Sequence, residues 1–487
     1  MATTDQFRAL FDPAGVVVAG ASTHPGKFGF VALHNILANG YEGRVFATNR
    51  EAVEVLGVQT VTGLDEVPAG EADLVFVCTP AAGNADLLRQ AADKGIRAAF
   101  LASAGYGEAG EDGRRAQDEL VALAADLGVL LVGPNGQGLV STPSKLCAQI
   151  VAPYPPAGRI GIVSQSGNFV SSFMNLARWS GVGVSRALSA GNAAAVGVTD
   201  VLAFYADDPE TDVALAYVEG VPDGRAFYDA LRAVTERIPV VLVKGGATEG
   251  GGRAAASHTG SLATDDRVFD GMCRQAGAIR AATIESAFEI AATAATQPPP
   301  AGPRVAVMTT AGGWGVVTAD AISRSRLELA PLPDDLRATL DDELPPRWSR
   351  NNPIDLAGGE TKDTIPTVLS AIVAHPGIDA VVLLGTGIQS NQGRMERDGP
   401  FFPEWGLERI AAFHDRQDHR YATVAGELSA THGKPVLVAT ELALTDRTNA
   451  AVRGVVESGR YCYPSGDRAV AALDAVWGHV AWRERRS

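Results

Sequence analysis

Short apolar runs, most of them closed by a small or turn-forming residue, alternate with helical stretches along this chain, and this alternation constrains its fold more than any other feature. Gly15–Gly20 (GVVVAG) opens the series, and a helix is expected over Phe28–Asn39. Arg44–Thr48, Asp73–Thr79, Ala98–Ala102 and Val129–Val132 continue it, with helices expected near Asn84–Lys94 and Gly113–Leu127. Runs this short and this apolar fit strands buried on both faces. Strand and helix in alternation imply right-handed βαβ units on a parallel sheet, where ligands bind outside the carboxyl ends of the strands.

A proline-rich break at Ala152–Gly158 (APYPPAG) interrupts the rhythm, which restarts at Arg159–Val163. Val213–Val218 and Val240–Val243 read as further strands, and a helix at Ala287–Thr296 runs into the second break, Gln297–Pro300. Arg304–Met308, Ala380–Leu384 and Pro435–Ala439 belong to a third block. The expectation is three α/β domains in tandem, at 1–150, 158–297 and 303–487, in keeping with 487 residues at about 150 per domain.

The formal net charge of -15 argues against nucleic acid and anionic membrane surfaces as general partners. It leaves local anion sites open, because backbone N–H groups at a helix start bind phosphate without any net charge. Cys78, Cys147, Cys273 and Cys462 are dispersed, with no CxxC and no metal-ligand spacing, so free thiols in a reducing compartment and no metal site are expected. MATTDQFRAL lacks a basic and an apolar leader region, and no run of about 18 apolar residues appears. A cytoplasmic location is expected.

Five segments stand out as carriers of chemistry. The first is the loop Gly20-Ala21-Ser22-Thr23-His24-Pro25-Gly26-Lys27-Phe28-Gly29, between a strand and a helix. It is a candidate nucleotide-phosphate loop, yet not a Walker A: five residues separate Gly20 from Gly26, and Phe28 stands where Ser or Thr would hold magnesium. It also lacks GxGxxG spacing. The second is Ser164-Gln165-Ser166-Gly167-Asn168, and the third Thr310-Ala311-Gly312-Gly313-Trp314-Gly315. Each follows a strand and is expected to open a helix whose N–H groups face an anion; a plain turn is the competing reading of each. The fourth is Ser257-His258-Thr259-Gly260-Ser261, where a histidine among small polar residues suits a loop nucleophile toward phosphorus, against the alternative of an ordinary loop histidine. The fifth is Tyr217-Val218-Glu219-Gly220, a strand running into a carboxylate that can fix an imidazole tautomer, against the alternative of a capping or surface glutamate. His414 and His419 repeat no metal pattern and are expected in solvent.

Taken together, these motifs resemble one family, the NDP-forming acyl-CoA synthetases, including ADP-forming acetyl-CoA synthetase and, more distantly, succinyl-CoA synthetase. The most specific match is SHTGSLA. The resemblance implies a Rossmann-like CoA-binding domain followed by two flavodoxin-like ligase domains. It implies that His258 is transiently phosphorylated and that Glu219 orients it. It implies that Ser164, Gln165, Ser166 and Gly167, with Gly312, Gly313, Trp314 and Gly315, are two helix starts that grip the phosphohistidine. NPIDL at Asn352–Leu356 resembles a ligase-domain signature. Gly20, Ala21, Ser22, Gly26 and Lys27, Asn49, Thr79 and Pro80, Ser103, Ala104 and Gly105, and Asn135 look like the coenzyme A site.

Two departures bear on that site. Gly136 follows Gly133-Pro134-Asn135 where the family often has Cys, and Asn49-Arg50 stands where the family has Asn-Pro. No ATP-grasp region is recognisable. The resemblance therefore implies a separate ATP-grasp β subunit that carries ATP or ADP with Mg²⁺, a small carboxylic acid as substrate, and a homo- or hetero-oligomer. A CoA- or acyl-CoA-binding regulatory protein without turnover is the alternative, and the complete SHTGSLA motif counts against it. A nicotinamide-dependent oxidoreductase has only the Rossmann-like first segment in its favour.

Overall fold

The first sheet is parallel throughout, and its strands are the apolar runs near the start of the chain: β1 (Gly15–Ala19), β2 (Arg44–Thr48), β3 (Leu74–Val77), β4 (Ala98–Leu101) and β5 (Leu130–Val132). Their order is β2-β1-β3-β4-β5. Helices α1 (Thr4–Phe11), α2 (Phe28–Ala38), α3 (Asn84–Asp93) and α4 (Glu111–Asp126) belong to the same segment. Thr3 caps α1 and shares a capping box with Gln6, which fixes where the first helix begins. The computed structural model describes residues 2–151, 153–221, 223–248, 250–251, 265–358 and 362–486. Two compact units result: Met1–Trp179 with Gly183–Ala287, and Ser180–Val182 with Phe288–Ser487.

A second sheet completes the first unit. An antiparallel hairpin, β6 (Gly138–Ser141) with β7 (Leu146–Gln149), sits at its edge. The parallel strands are β8 (Ala157–Ser164), β9 (Val184–Ser189), β10 (Val213–Val218), β11 (Val240–Lys244) and β12 (Ile279–Ala281), in the order β12-β11-β10-β8-β9-β6-β7. Helices α5 (Gly167–Ser180) and α6 (Val198–Asp207) follow β8 and β9. Because β6 pairs with β9, the chain leaving β5 crosses directly into the second sheet.

Aromatic packing and a buried ion network join these layers. Phe7 and Phe11 of α1 stack on Phe204 of α6, with ring centroids 4.9 and 5.4 Å apart. Arg186 lies within β9 at 3% exposure. Its guanidinium donates to both carboxylate oxygens of Asp12 (2.5 and 2.8 Å), to Asp208 Oδ2 (3.1 Å) and to the Ser141 hydroxyl. Arg186→Met is expected to cost about 3–5 kcal/mol, because it strands the buried Asp208 carboxylate without its cation. A fall in the urea denaturation midpoint checks this.

The second unit is built on β13 (Arg304–Thr309), β14 (Glu328–Leu329), β15 (Ile354–Asp355), β16 (Ala380–Leu384) and β17 (Val436–Ala439). The path β14-β13-β16-β17 is parallel, and β15 pairs alongside β13. Helix α7 (Gly312–Ser323) follows β13, and α8 (Leu407–His432) is the longest helix of this unit. Its core gathers Leu336, Leu340, Trp348, Val368, Ile372, Tyr421 and Val455. His414, expected in solvent, is instead largely covered: its side chain is 17% exposed and faces Glu396 at 3.9 Å. The α/β class with parallel sheets holds in both units. Among the described residues, no helix is long and apolar enough to cross a membrane.

Candidate functional site

The carboxyl ends of the first sheet open onto a cleft of about 1180 Å³. Gly20–Thr23 and Gly26–Gly29 line it after β1, Thr48–Glu51 after β2, and Cys78–Pro80 after β3. Parallel strands put successive loops on one edge, which is why residues distant in sequence meet there. The loop geometry is fixed locally. Gly20 N donates to the Thr48 hydroxyl (3.1 Å), His24 N to the Ser22 hydroxyl (3.0 Å), and Gly26 N to Nδ1 of His24 (3.0 Å). Asn49 Nδ2 donates to Ala21 O (2.8 Å), tying the first two loops together.

Gly20 has φ +85°, which favours glycine, and a Cβ there would press on Thr79. A Cβ at Gly29 would run into the Gly20 carbonyl oxygen, so α2 starts with its backbone against the loop. Lys27 caps α2 in an extended conformation without a side-chain bond to the helix, and its carbonyl oxygen accepts from Phe30 N (3.0 Å). Burial pushes the Cys78 thiol up to about 12, which keeps it protonated at neutral pH.

Ser103, Ala104, Gly105 and Asn135, expected at the same site, do not line this cleft; they brace it from the loops after β4 and β5. The Ser103 hydroxyl donates to Thr79 O (2.6 Å), and Asn135 N donates to Ser103 O (3.0 Å). Gly105 has φ +101° and Asn135 φ 60°. Ala104 lies between Ser103 and Gly105 in the same loop. A Cβ at Gly136 would meet the Phe100 ring at 2.5 Å and Ser189 O at 2.9 Å. The space that a cysteine side chain would need is thus filled by Phe100, itself stacked on Phe76 at 5.1 Å.

In the second sheet, Ser164 ends β8 fully buried. Its hydroxyl donates to Ser166 O (2.6 Å) and accepts from Ser166 N (3.0 Å), locking the turn that starts α5 at Gly167. Thr309 does the same at the end of β13 in the second unit. Its hydroxyl donates to Ala311 O (2.8 Å) and accepts from Ala311 N (3.0 Å), just before α7. One local device therefore shapes both glycine-bearing helix starts.

The side chain of Gln165 does not point away as a free donor. Its Oε1 accepts from Glu219 N (2.5 Å) and Gly220 N (3.3 Å), and its Nε2 donates to Gly220 O (3.4 Å). This clasp follows from the register, which places Ser164 opposite Tyr217. Glu219 is 8% exposed, so it is neither a surface nor a capping residue. Burial first, and then the Glu219 charge, hold the Tyr217 hydroxyl well above its ordinary range, so it stays protonated. Phe169 packs on the Tyr217 ring at 4.1 Å. Gly245, just after β11, lies beside the pair: a Cβ there would fall 3.5 Å from Glu219 Cγ.

His258 and the rest of SHTGSLA lie outside the described residues; Gly251 is the last described residue before it and Asp265 the first after it. Gln137, which no motif marks, covers Gly167 so closely with its side chain that a Cβ there would overlap it.

In the second unit, Gly312 and Gly315 are explained by packing. A Cβ at Gly312 would meet Asp355 Oδ2 at 2.6 Å, and one at Gly315 would meet Pro353 and Thr309 at 3.1 Å. Around Gly313 the space is open among the described residues, and Trp314 is 38% exposed. Asn352 is a bracket: it donates to Val305 O (2.8 Å) and Ala330 O (2.9 Å) and accepts from Val307 N (2.9 Å).

Comparison with known proteins agrees with this layout. Residues 15–179 match the CoA binding domain, residues 157–294 the succinyl-CoA ligase like flavodoxin domain, and residues 305–387 the ligase-CoA domain. The chain is 31% identical over 481 residues to the acetate–CoA ligase [ADP-forming] I subunit alpha of Pyrococcus furiosus, covering 98% of each. It is 34% identical over 375 residues to the II subunit alpha of the same organism, covering 77% of this chain and 81% of the relative. A solved structure of the dinucleotide forming acetyl-coenzyme A synthetase 1 of Ca. Korarchaeum cryptofilum, in complex with phosphate and ADP, superposes with a TM-score of 0.82 at 27% identity, covering 99% of this chain and 98% of that one. The chain belongs to the family of NDP-forming acyl-CoA synthetases, as a chain of the alpha-subunit type.

Proposed function

We propose that this chain is the CoA-binding, phosphohistidine-carrying subunit of an NDP-forming acyl-CoA synthetase, converting carboxylate, CoA and ATP reversibly into acyl-CoA, ADP and phosphate. The observation that carries the reading is the setting of Glu219. A buried carboxylate sits at the carboxyl end of β10, beside the protonated Tyr217 hydroxyl and clasped through its backbone by the loop that starts α5. That brings a fixed acceptor for an imidazole N–H together with a helix start able to hold a phosphoryl group.

In this reading Glu219 accepts from one imidazole nitrogen of His258 and leaves the other facing phosphorus. A carboxylate oxygen of the substrate attacks the phosphorus, the P–N bond breaks, and an acyl phosphate forms. The sulfur of CoA then attacks the acyl carbon, the C–O bond breaks, phosphate leaves, and the thiol proton passes to it. Gly167, the first residue of α5, offers its N–H to the phosphoryl oxygens, and the Gly312–Gly315 helix start is assigned the same task. Stabilisation rests on positioned dipoles rather than on covalent help from the protein. A separate ATP-grasp subunit, holding the nucleotide with Mg²⁺, rephosphorylates His258.

The cleft of the first sheet suits CoA. Its glycines allow close backbone approach, Lys27 and the start of α2 suit the phosphates, and Thr79, braced by Ser103, lines the wall after β3. Gly29→Ala is expected to weaken CoA binding about tenfold, since its overpacking of about 1–3 kcal/mol falls on the loop itself. Isothermal titration with CoA checks this.

The test of the whole reading is product formation. The purified chain, an ATP-grasp partner, ATP, Mg²⁺, CoA and a panel of carboxylates should yield an acyl-CoA and ADP. CoA binding without turnover across the panel would favour a regulatory CoA-binding protein.

A further inference from the structure

A hydrogen-bonded clasp joins the two sheets of the first unit behind Thr79, a residue of the cleft lining. Glu108 closes the loop that follows β4. Its Oε1 accepts from Gly105 N (2.5 Å) and Tyr106 N (3.2 Å), and its Oε2 accepts from Asn192 Nδ2 (2.5 Å). Asn192 follows β9 and so belongs to the second sheet. Its Nδ2 also donates to Gln117 Oε1 (3.0 Å), which accepts from Gly107 N (3.2 Å). Asn192 N donates to Pro134 O (2.9 Å), and Asn135 Nδ2 donates to Asn192 Oδ1 (3.4 Å). A single asparagine of the second sheet thus holds the loops after both β4 and β5.

The same loop reaches the cleft at its other end. Ser103 bonds Thr79 O, Asn84 Nδ2 donates to the Tyr106 hydroxyl (2.9 Å), and the Thr79 hydroxyl donates to Asn84 Oδ1 (3.0 Å). Thr79 lines the cleft. Two residues before Asn192, Ala190 N donates to Ser164 O (2.8 Å), which connects the clasp to the turn that starts α5. Burial works to raise the Glu108 carboxyl, yet the bonds from Asn192 and Gly105 outweigh it and hold the group below its usual range. The clasp is therefore charge-assisted, the stronger class of hydrogen bond.

We propose that Glu108 and Asn192 are positioning residues for the thiol end of CoA, holding the Ser103–Gly107 loop against the sheet that carries the phosphate-binding turn. This rests on the CoA-binding reading above. The clasp lets the acceptor site for CoA and the phosphoryl site keep one relative geometry within the unit. A thioester-forming attack needs that, because small displacements of reacting atoms are costly.

An exchange of partners tests it. In Glu108→Gln, an amide N–H₂ faces either the Asn192 N–H₂ or the Gly105 N–H, so a donor meets a donor. The CoA dissociation constant and the KM for CoA should each rise about tenfold or more, while the KM for the carboxylate moves about twofold or less. Asn192→Asp sets two carboxylates face to face and should weaken CoA binding similarly. The double variant Glu108→Gln/Asn192→Asp restores a donor–acceptor pair of reversed polarity between the two positions, while the new carboxylate faces Gln117 Oε1, so CoA affinity should recover at least about threefold over Glu108→Gln alone. Wild-type affinity in Glu108→Gln, or a loss that the double variant leaves unrepaired, overturns the proposal. A wild-type chain that binds no CoA at all overturns the functional reading and this one with it.

Discussion

His258→Ala, assayed with an ATP-grasp partner, ATP, Mg²⁺, CoA and the preferred carboxylate, is expected to form acyl-CoA at least about 10⁴-fold more slowly than wild type. Its affinity for CoA and its melting temperature should be unchanged. The size of the effect follows from the chemistry: without the imidazole no P–N bond can form, and the carboxylate has no phosphoryl donor. None of the described histidines shares its sequence setting among Ser257, Thr259, Gly260 and Ser261. A variant that retains activity to within about tenfold of wild type removes the phosphohistidine from the account.

Glu219→Gln carries the second large effect. The carboxylate is buried, lies beside the protonated Tyr217 hydroxyl, and has its backbone gripped by Gln165. An amide in its place keeps the shape and the Gln165 clasp but loses the charge, and half of its head is a donor. An imidazole held by an amide adopts the wrong tautomer or none, and where an aspartate orients a catalytic histidine the amide exchange costs about 10⁴-fold in rate. Transfer here needs no proton abstraction by the histidine, so a loss on the order of 10²–10⁴-fold in histidine phosphorylation is expected, with CoA binding intact. Quantifying phosphohistidine after rapid mixing with ATP and partner reads it directly.

Much of the scaffold was legible because its strands are short, apolar and closed by turn residues. Arg44–Thr48, Val213–Val218 and Ala380–Leu384 have the bounds expected of them, and Gly167 and Gly312 open helices where glycine loops follow strands. The strand Val184–Ser189 escapes the same reading. Its Ser185, Arg186 and Ser189 break the apolar pattern, and Arg186 is tolerated inside only because Asp12 and Asp208 come from elsewhere to neutralise it. The β6–β7 hairpin escapes for a different reason: its partner β9 lies beyond the proline-rich break that marks an expected boundary. Local pattern cannot show either pairing.

The candidate site divides in the same way. Loops at the ends of strands carry their own glycine signals, so Gly20, Ser164 and Gly312 stand out in the sequence. What tunes them does not. The Gln165 bond to the Glu219 peptide depends on the β8–β10 register, which no local pattern shows. The Glu108–Asn192 bond spans 84 residues and two sheets. Gly136 shows the point most plainly: its bareness is set by the ring of Phe100, which no reading of Gly133-Pro134-Asn135 alone supplies.

The most direct measurement is transfer of phosphate onto the purified chain from the product side. The wild-type chain and His258→Ala are incubated with radiolabelled phosphate and a panel of acyl-CoAs, without nucleotide. The account predicts acid-labile, base-stable label on the wild type alone, with the strongest labelling naming the preferred acyl group. A wild-type chain that binds CoA yet takes up no label from any acyl-CoA, or equal label on His258→Ala, contradicts it.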